Sequence, residues 1–215
     1  MTEEPERPAS YREPQQARSA ATLARVLRAA EEIASASGLE EMTIAGVAKR
    51  AGVAVGTIYR RFEDKEQLIT ALTERMLERR EAYVAEQLRT AEPSLSGVLD
   101  AYAHALLQSF ADSSLFPELL RTRGTSSLDR GARTITELHR LLLEAANPYT
   151  HQIRRSQPQQ ALDTAARAIL GACFHNSVRP DAATDETARR RYADELGDMA
   201  IAYLLTPDRR RNAET

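Results

Sequence analysis

The chain has 215 residues, 42% of them hydrophobic and 28% charged, with a net charge of −2 at neutral pH, the balance of a folded globular protein. No apolar stretch approaches the roughly 20 residues of a membrane span, and the acidic, proline-bearing start MTEEPERPAS is unlike a secretory signal. The single Cys173 excludes an intramolecular disulfide, so a cytoplasmic protein with no membrane partner is expected.

Ala, Leu, Arg and Glu are abundant, and runs of Val, Ile and Thr are missing; helix is favoured nearly everywhere. Residues 1–17 carry Pro5, Pro8 and Pro14 without apolar periodicity and read as a disordered tail. A first helix is predicted over 19–37, with Ser19 as its N-cap, Val26, Leu27, Ala30 and Ile33 at helical spacing, and Gly38 at its end. Thr43 caps a second helix over 44–51, which stops at Gly52, and a third follows over 55–61. Asp64 caps a long fourth helix reaching Leu88, with Leu68, Leu72, Met76 and Tyr83 on or near one face. Pro93-Ser94 opens a fifth, whose stripe is Leu95, Val98, Leu99, Tyr102, Leu106 and Phe110. A short sixth is expected near 115–121, a seventh over 128–146 stopped by Asn147-Pro148, an eighth over 158–178, and a ninth over 186–205 ended before Pro207. With no strand pattern and no repeat, the fold class is all-α, about nine helices. Residues 208–215 read as a frayed tail.

Charge is unevenly spread. Residues 18–62 hold seven basic side chains against four acidic ones, although the whole chain is acidic; a polyanion binder with a separate second function has this pattern. Within the basic part, TIAGVAKRAGVAVGTIYRRF at 43–62 has two short helices joined at Gly52, the spacing of a helix-turn-helix whose second helix enters a major groove. Gly56 leaves that helix bare for a close approach. Thr57 suits a phosphate or a thymine methyl, Tyr59 a phosphate oxygen, and Arg60 and Arg61 supply charge. Lys65 stands in the first turn of the fourth helix, where a cation is disfavoured unless an anion comes near.

The run from Arg25 to Leu72 resembles the DNA-binding domain of TetR-family (TetR/AcrR-type) transcriptional regulators. The resemblance is carried by Val26-Leu27, Ala29-Ala30, Gly38, Thr43-Ile44, Val47-Ala48, Ala51-Gly52-Val53, Gly56-Thr57, Tyr59, Phe62, Lys65-Glu66 and Leu68. It implies a head over 18–64, a ligand-binding and dimerisation body over 65–207, and a DNA surface comprising Arg25, Thr43, Ala54, Val55, Gly56, Thr57, Tyr59, Arg60 and Lys65. Thr43, Tyr59 and Lys65 would grip phosphates; Val55, Thr57 and Arg60 would lie nearest the bases. Ala54 stands where the family often has a capping Ser, Ala34 where it has a core aromatic, and Leu23 where it often has a phosphate-contacting Arg, for which Arg18 and Arg25 would compensate.

The family's body encloses a ligand cavity, and Tyr83, Tyr102, His104, Leu106, Gln108, Phe110 and His139 are the candidates for its lining. Small residues Ala161, Ala165, Ala168 and Ala172, with Tyr192, Leu196, Met199 and Tyr203, are expected to form a homodimer interface. The four histidines are scattered, and no phosphate loop, catalytic triad or metal-ligand spacing occurs; no catalytic residue, metal or cofactor is expected. The resemblance implies a repressor that holds a pseudo-palindromic double-stranded operator as a dimer and releases it when a small apolar or amphipathic effector binds. The rivals are a ligand-independent dimeric DNA-binding protein, whose body would serve only dimerisation, and a small helical enzyme.

Overall fold

The computed structural model describes residues 15–111, 125–178 and 185–208. Its elements are α1 (Gln15–Glu41), α2 (Ile44–Ala51), α3 (Val55–Tyr59), α4 (Lys65–Arg89), α5 (Leu95–Ala111), α6 (Thr125–Ala146), a 3₁₀ turn (Asn147–Gln152), α7 (Pro158–Val178) and α8 (Glu186–Leu205). Among the described residues there is no strand. The chain divides into two compact units, the first running to Leu72 and the second from Thr73.

The first unit is a small helical head. Val26, Leu27, Ala29, Ala30 and Ala34 form the inner stripe of α1 and are buried with Val47 and Ala48 of α2, Ile58 of α3, and Phe62, Leu68 and Leu72. Glycine breaks α1 at Gly38, where φ is 87°. The chain then turns through Leu39 and Met42, both buried, into α2. Thr43 caps α2 by accepting a bond from the Gly46 N–H (3.1 Å). At the other end Gly52 adopts the left-handed conformation (φ 65°, ψ 42°), its N–H reaching the carbonyls of Ala48 and Lys49. A side chain there would be strained, so the glycine sets the angle at which α3 leaves α2.

The second unit is a helical body built around α5. Leu95, Val98, Leu99, Tyr102, Ala103, Ala105, Leu106, Leu107 and Phe110 are all buried, so α5 is covered on nearly every side, as its high apolar content requires. It packs against α6, α7 and α8. Those helices contribute Leu138 and Leu142, then Ala161, Leu162, Ala165, Ala166, Ile169 and Cys173, then Ala193, Leu196, Ala200 and Leu204 to the same core. Asp185 caps α8 by accepting from the Thr187 and Ala188 N–H groups.

Several boundaries differ from the sequence expectation. The first helix starts at Gln15, not at Ser19, because Gln15, Gln16, Ala17 and Arg18 are good helix formers and extend it upstream; residues 15–17 therefore do not belong to a tail. Residues 1–14 and the predicted helix near 115–121 lie outside the described residues. The third helix ends at Tyr59 with Arg60 as its C-cap, whereas Asn147-Pro148 does stop the helix before it at Ala146 and opens a 3₁₀ turn beyond. Asp208, assigned to a frayed end, accepts hydrogen bonds from the Ser156 N–H (2.8 Å) and from Arg155 (3.1 Å).

Candidate nucleic-acid interface

The α2–Gly52–α3 unit presents one outward face. Ile58 is buried and anchors α3 from below, leaving Val55 (40% exposed) and Tyr59 (54%) outside. Two large apolar or aromatic side chains held in solvent on a five-residue helix are a cost that a partner surface would offset. Ala54 precedes α3 without a side-chain capping bond. Gly56 has open space where a Cβ would point, so the backbone is accessible there. Arg60 and Thr57 lie on the same face, Arg60 donating to the Thr57 hydroxyl (3.4 Å). Arg25 is exposed on α1.

Two of the predicted phosphate contacts have intramolecular roles as well. Thr43 caps α2 through its oxygen, which leaves its own hydroxyl hydrogen to donate elsewhere. Lys65 donates from Nζ to the Glu40 carbonyl (2.7 Å), just past the break of α1 at Gly38. That bond explains a lysine in the first turn of α4 without any anion. Arg61 was weighed only as charge. It donates to both the carbonyl (3.0 Å) and the hydroxyl of Ser19, bridging the segment after α3 to the second turn of α1.

Of the residues predicted to line a cavity in the body, Tyr102, Leu106 and Phe110 share one core cluster. Tyr102 and Leu106 are fully buried and Phe110 nearly so, within the packed core; Gln108 is half-buried and Tyr83 is at the surface. His104 and His139 face carboxylates, His104 with Asp194 (2.7 Å) and His139 with Asp163 (2.6 Å). A buried cation was missed. Arg80 (6% exposed) lies over the Phe110 ring at 4.3 Å and donates to the Ser109 carbonyl, and burial pulls its pKa down to about 10. Its signal was in the sequence: Leu72, Met76, Arg80, Val84 and Leu88 recur every four residues, and only one of them is charged.

Three of the eight residues expected between protomers are interior. Ala161, Ala165 and Leu196 belong to the protomer's own core, while Ala172, Tyr192 and Tyr203 are half-buried. Ala168 and Met199 point outward, with Phe174 and Leu205 as further outward apolar residues of α7 and α8. The alanine-rich face of α7 thus turns inward, because close packing on α5 and α8 needs small residues as much as a dimer seam does. Among the described residues no helix is long and apolar enough to cross a membrane, and no group of three or more His, Cys, Asp or Glu side chains gathers as a metal site.

An exposed short helix set by a glycine turn on a preceding capped helix has the geometry of a helix-turn-helix. The family model for bacterial regulatory proteins of the tetR family matches residues 26–72. Over 53 residues the chain is 42% identical to the uncharacterized HTH-type transcriptional regulator YvdT of Bacillus subtilis (strain 168), a match covering 25% of this chain and 27% of that protein, about a quarter of its length. The fold extends through the body. The crystal structure of the transcriptional regulator FadR from Bacillus subtilis in complex with stearoyl-CoA superimposes with a TM-score of 0.65 at 15% identity, covering 84% of this chain and 98% of that one. A TetR-family transcriptional regulator from Streptomyces coelicolor gives a TM-score of 0.59 at 26% identity over 87% and 99%. Residues 26–72 thus carry a segment similar to the bacterial regulatory proteins of the tetR family, and the described helices share the fold of these solved regulators.

Proposed function

We propose that the protein is a cytoplasmic homodimeric repressor that reads a pseudo-palindromic operator through α3 and leaves it when a small apolar or amphipathic molecule binds the body. The observation that carries the DNA-binding part is the outward face of α3, where Val55, Thr57, Tyr59 and Arg60 are fixed from beneath by buried Ile58. In this reading Val55 and Thr57 meet base edges or thymine methyls, and Arg60 takes a guanine or a phosphate. Tyr59, Thr43 and Arg25 hold the backbone, and Gly56 lets the helix sit close.

The ligand part is supported by the likeness of the body to FadR, whose crystal structure holds stearoyl-CoA. Release requires the ligand to bind one conformer better, and the coupling is typically about 1–3 kcal/mol. The test is selection of a binding duplex from a random pool, followed by footprinting and titration with long-chain acyl-CoA as the first amphipathic probe. Two protected half-sites about one helical turn (~34 Å) apart, and weaker DNA binding in the presence of the probe, are expected. Retention of full affinity across a panel of such amphiphiles would favour a body that serves dimerisation alone. A selection that enriches no duplex would overturn the DNA-binding reading.

A further inference from the structure

We propose that the Tyr102 hydroxyl is the hydrogen-bond donor of the effector site, and that the effector is an apolar molecule bearing an uncharged carbonyl oxygen to meet it. The proposal rests on the effector reading above and supplies the chemistry that reading leaves open. Tyr102 is wholly buried on α5, and among the described residues its oxygen has no hydrogen-bond partner. A phenylalanine would fill nearly the same space without stranding a hydroxyl, and α5 has one about two turns further on, at Phe110. Buried polar groups are almost always paired, so an orphan inside a core marks a place where a partner comes from outside. The other buried polar side chains of the body are engaged elsewhere: Arg80 with the Ser109 carbonyl, Ser109 with the Leu106 carbonyl, Arg130 with Glu74, and Thr134 with Glu81. A lone water at the phenol would itself need two to four polar partners, and those engagements leave it few.

The surroundings decide what kind of partner fits. Burial pushes the Tyr102 ionisation well above the ordinary tyrosine range, with the Cys173 thiol of α7 adding to the rise. The phenol therefore stays protonated at neutral pH and offers one hydrogen. The same burial pushes the Cys173 thiol up to about 12, so it too is neutral and a weak donor. An ionised carboxylate would exchange its hydration for one phenol and one thiol, which does not offset its desolvation. Arg80, buried over the Phe110 ring, stands about two turns of α5 away. An uncharged carbonyl loses far less on leaving water and accepts the hydrogen equally well. Tyr102, Leu106 and Phe110 recur every four residues and share one stripe of α5; Phe110 meets Phe174 of α7 edge to face, ring centroids 6.3 Å apart. The chain of the effector lies along this stripe, with its carbonyl at the Tyr102 end. Because Tyr102 is closed to solvent, the effector reaches it only when α5 and α7 part, so binding selects an opened body.

The test uses the full-length protein, its Tyr102→Phe variant and a series of straight-chain methyl ketones. Each ketone is paired with the alkene in which a methylene replaces its carbonyl oxygen. These probes are volatile, so binding is read from the fall in their headspace concentration over the protein solution. At the best chain length the wild type should hold the ketone about tenfold more tightly than its alkene, the worth of one buried hydrogen bond. In Tyr102→Phe the ratio should fall to about one. A general change in stability or opening touches both probes alike and leaves the ratio unmoved. The same ketone should weaken binding to a selected duplex in the wild type more than in the variant. A ratio near one in the wild type, a ratio that persists in Tyr102→Phe, or a series in which no ketone binds overturns the role of Tyr102. The effector reading then stands if long-chain acyl-CoA or another amphiphile still weakens DNA binding, and falls as well if none does.

Discussion

Tyr102 sits wholly inside the body with a phenol oxygen that has no hydrogen-bond partner, and burial holds its ionisation well above the ordinary tyrosine range. An unsatisfied buried hydroxyl costs about 1–3 kcal/mol, so Tyr102→Phe should stabilise the protein by about 1 kcal/mol, seen as a higher urea midpoint at unchanged slope. A lower midpoint would mean that the oxygen is satisfied in solution. Asp100 poses the opposite problem at the rim of the same helix. Its carboxyl, pressed against Gly197 of α8, is held above the ordinary carboxylate range first by burial and then by the charges of Asp198, Asp194 and Glu92, which His104 partly offsets. With a pKa raised on folding, the stability tied to its protonated form is complete below the unfolded value of about 3.9 and is lost as pH rises through the folded value. Asp100→Asn should accordingly melt higher than the wild type at neutral pH, with the gap closing towards pH 4; a gap that is constant with pH would rule out titration as its origin.

At the level of helices, one part-buried ionic cluster, centred on a buried arginine, ties α4 to α6. Arg130, with only 10% of its side chain exposed, donates to Glu74 (2.7 Å), Glu81 (2.8 Å) and Thr134, and Thr134 donates in turn to Glu81. Removing Arg130 strands the half-buried Glu81 and the buried Thr134, so Arg130→Ala should cost about 2 kcal/mol. Arg140, which pairs with Glu137 and Glu144 on the outer face of the same helix at 48% exposure, should cost far less on the same substitution, because solvent screens an exposed pair. Comparable losses from the two in chemical denaturation would refute the distinction. The helices themselves were legible where punctuation residues stand at their ends: Thr43, Gly52, Asp64, Pro158 and Asp185 each mark an observed boundary. They were illegible where no such residue stands, as at Gln15, because good helix formers continue a helix without announcing its start. Periodicity also could not choose the inward face of α7, since alanine is at home in a core and at a seam alike. Nor could it show that Lys65 is occupied by the Glu40 carbonyl or that Arg61 reaches Ser19; those contacts join residues 25 and 42 positions apart.

For the whole molecule, the placement of α7 and α8 residues separates assembly from folding. Met199 is 51% exposed and Ala165 is in the core. Met199→Arg should therefore give a folded monomer with weakened DNA binding, whereas Ala165→Arg should lose the fold, since an unpaired buried charge costs several kcal/mol. Sedimentation of an intact Met199→Arg dimer would place the interface elsewhere. The contacts of Asp208 have a consequence for how the body opens. Arg155 lies over the Tyr203 ring at 4.0 Å, donates to the Tyr203 carbonyl and, with the Ser156 N–H, holds the Asp208 carboxylate. The chain entering α7 is thereby fastened to the chain leaving α8, closing a noncovalent ring across 52 positions of sequence. Closing so long a loop carries most of its entropic cost at once, so the two ends should detach together, and their amides should exchange with solvent at a common rate. Ser156 and Arg155 hold the Asp208 carboxyl below its ordinary range. The Asp208 closure is therefore whole above about pH 4 and is lost only as pH falls through that lowered value, so acid below the ordinary carboxylate range loosens the α7–α8 pair without cutting the chain.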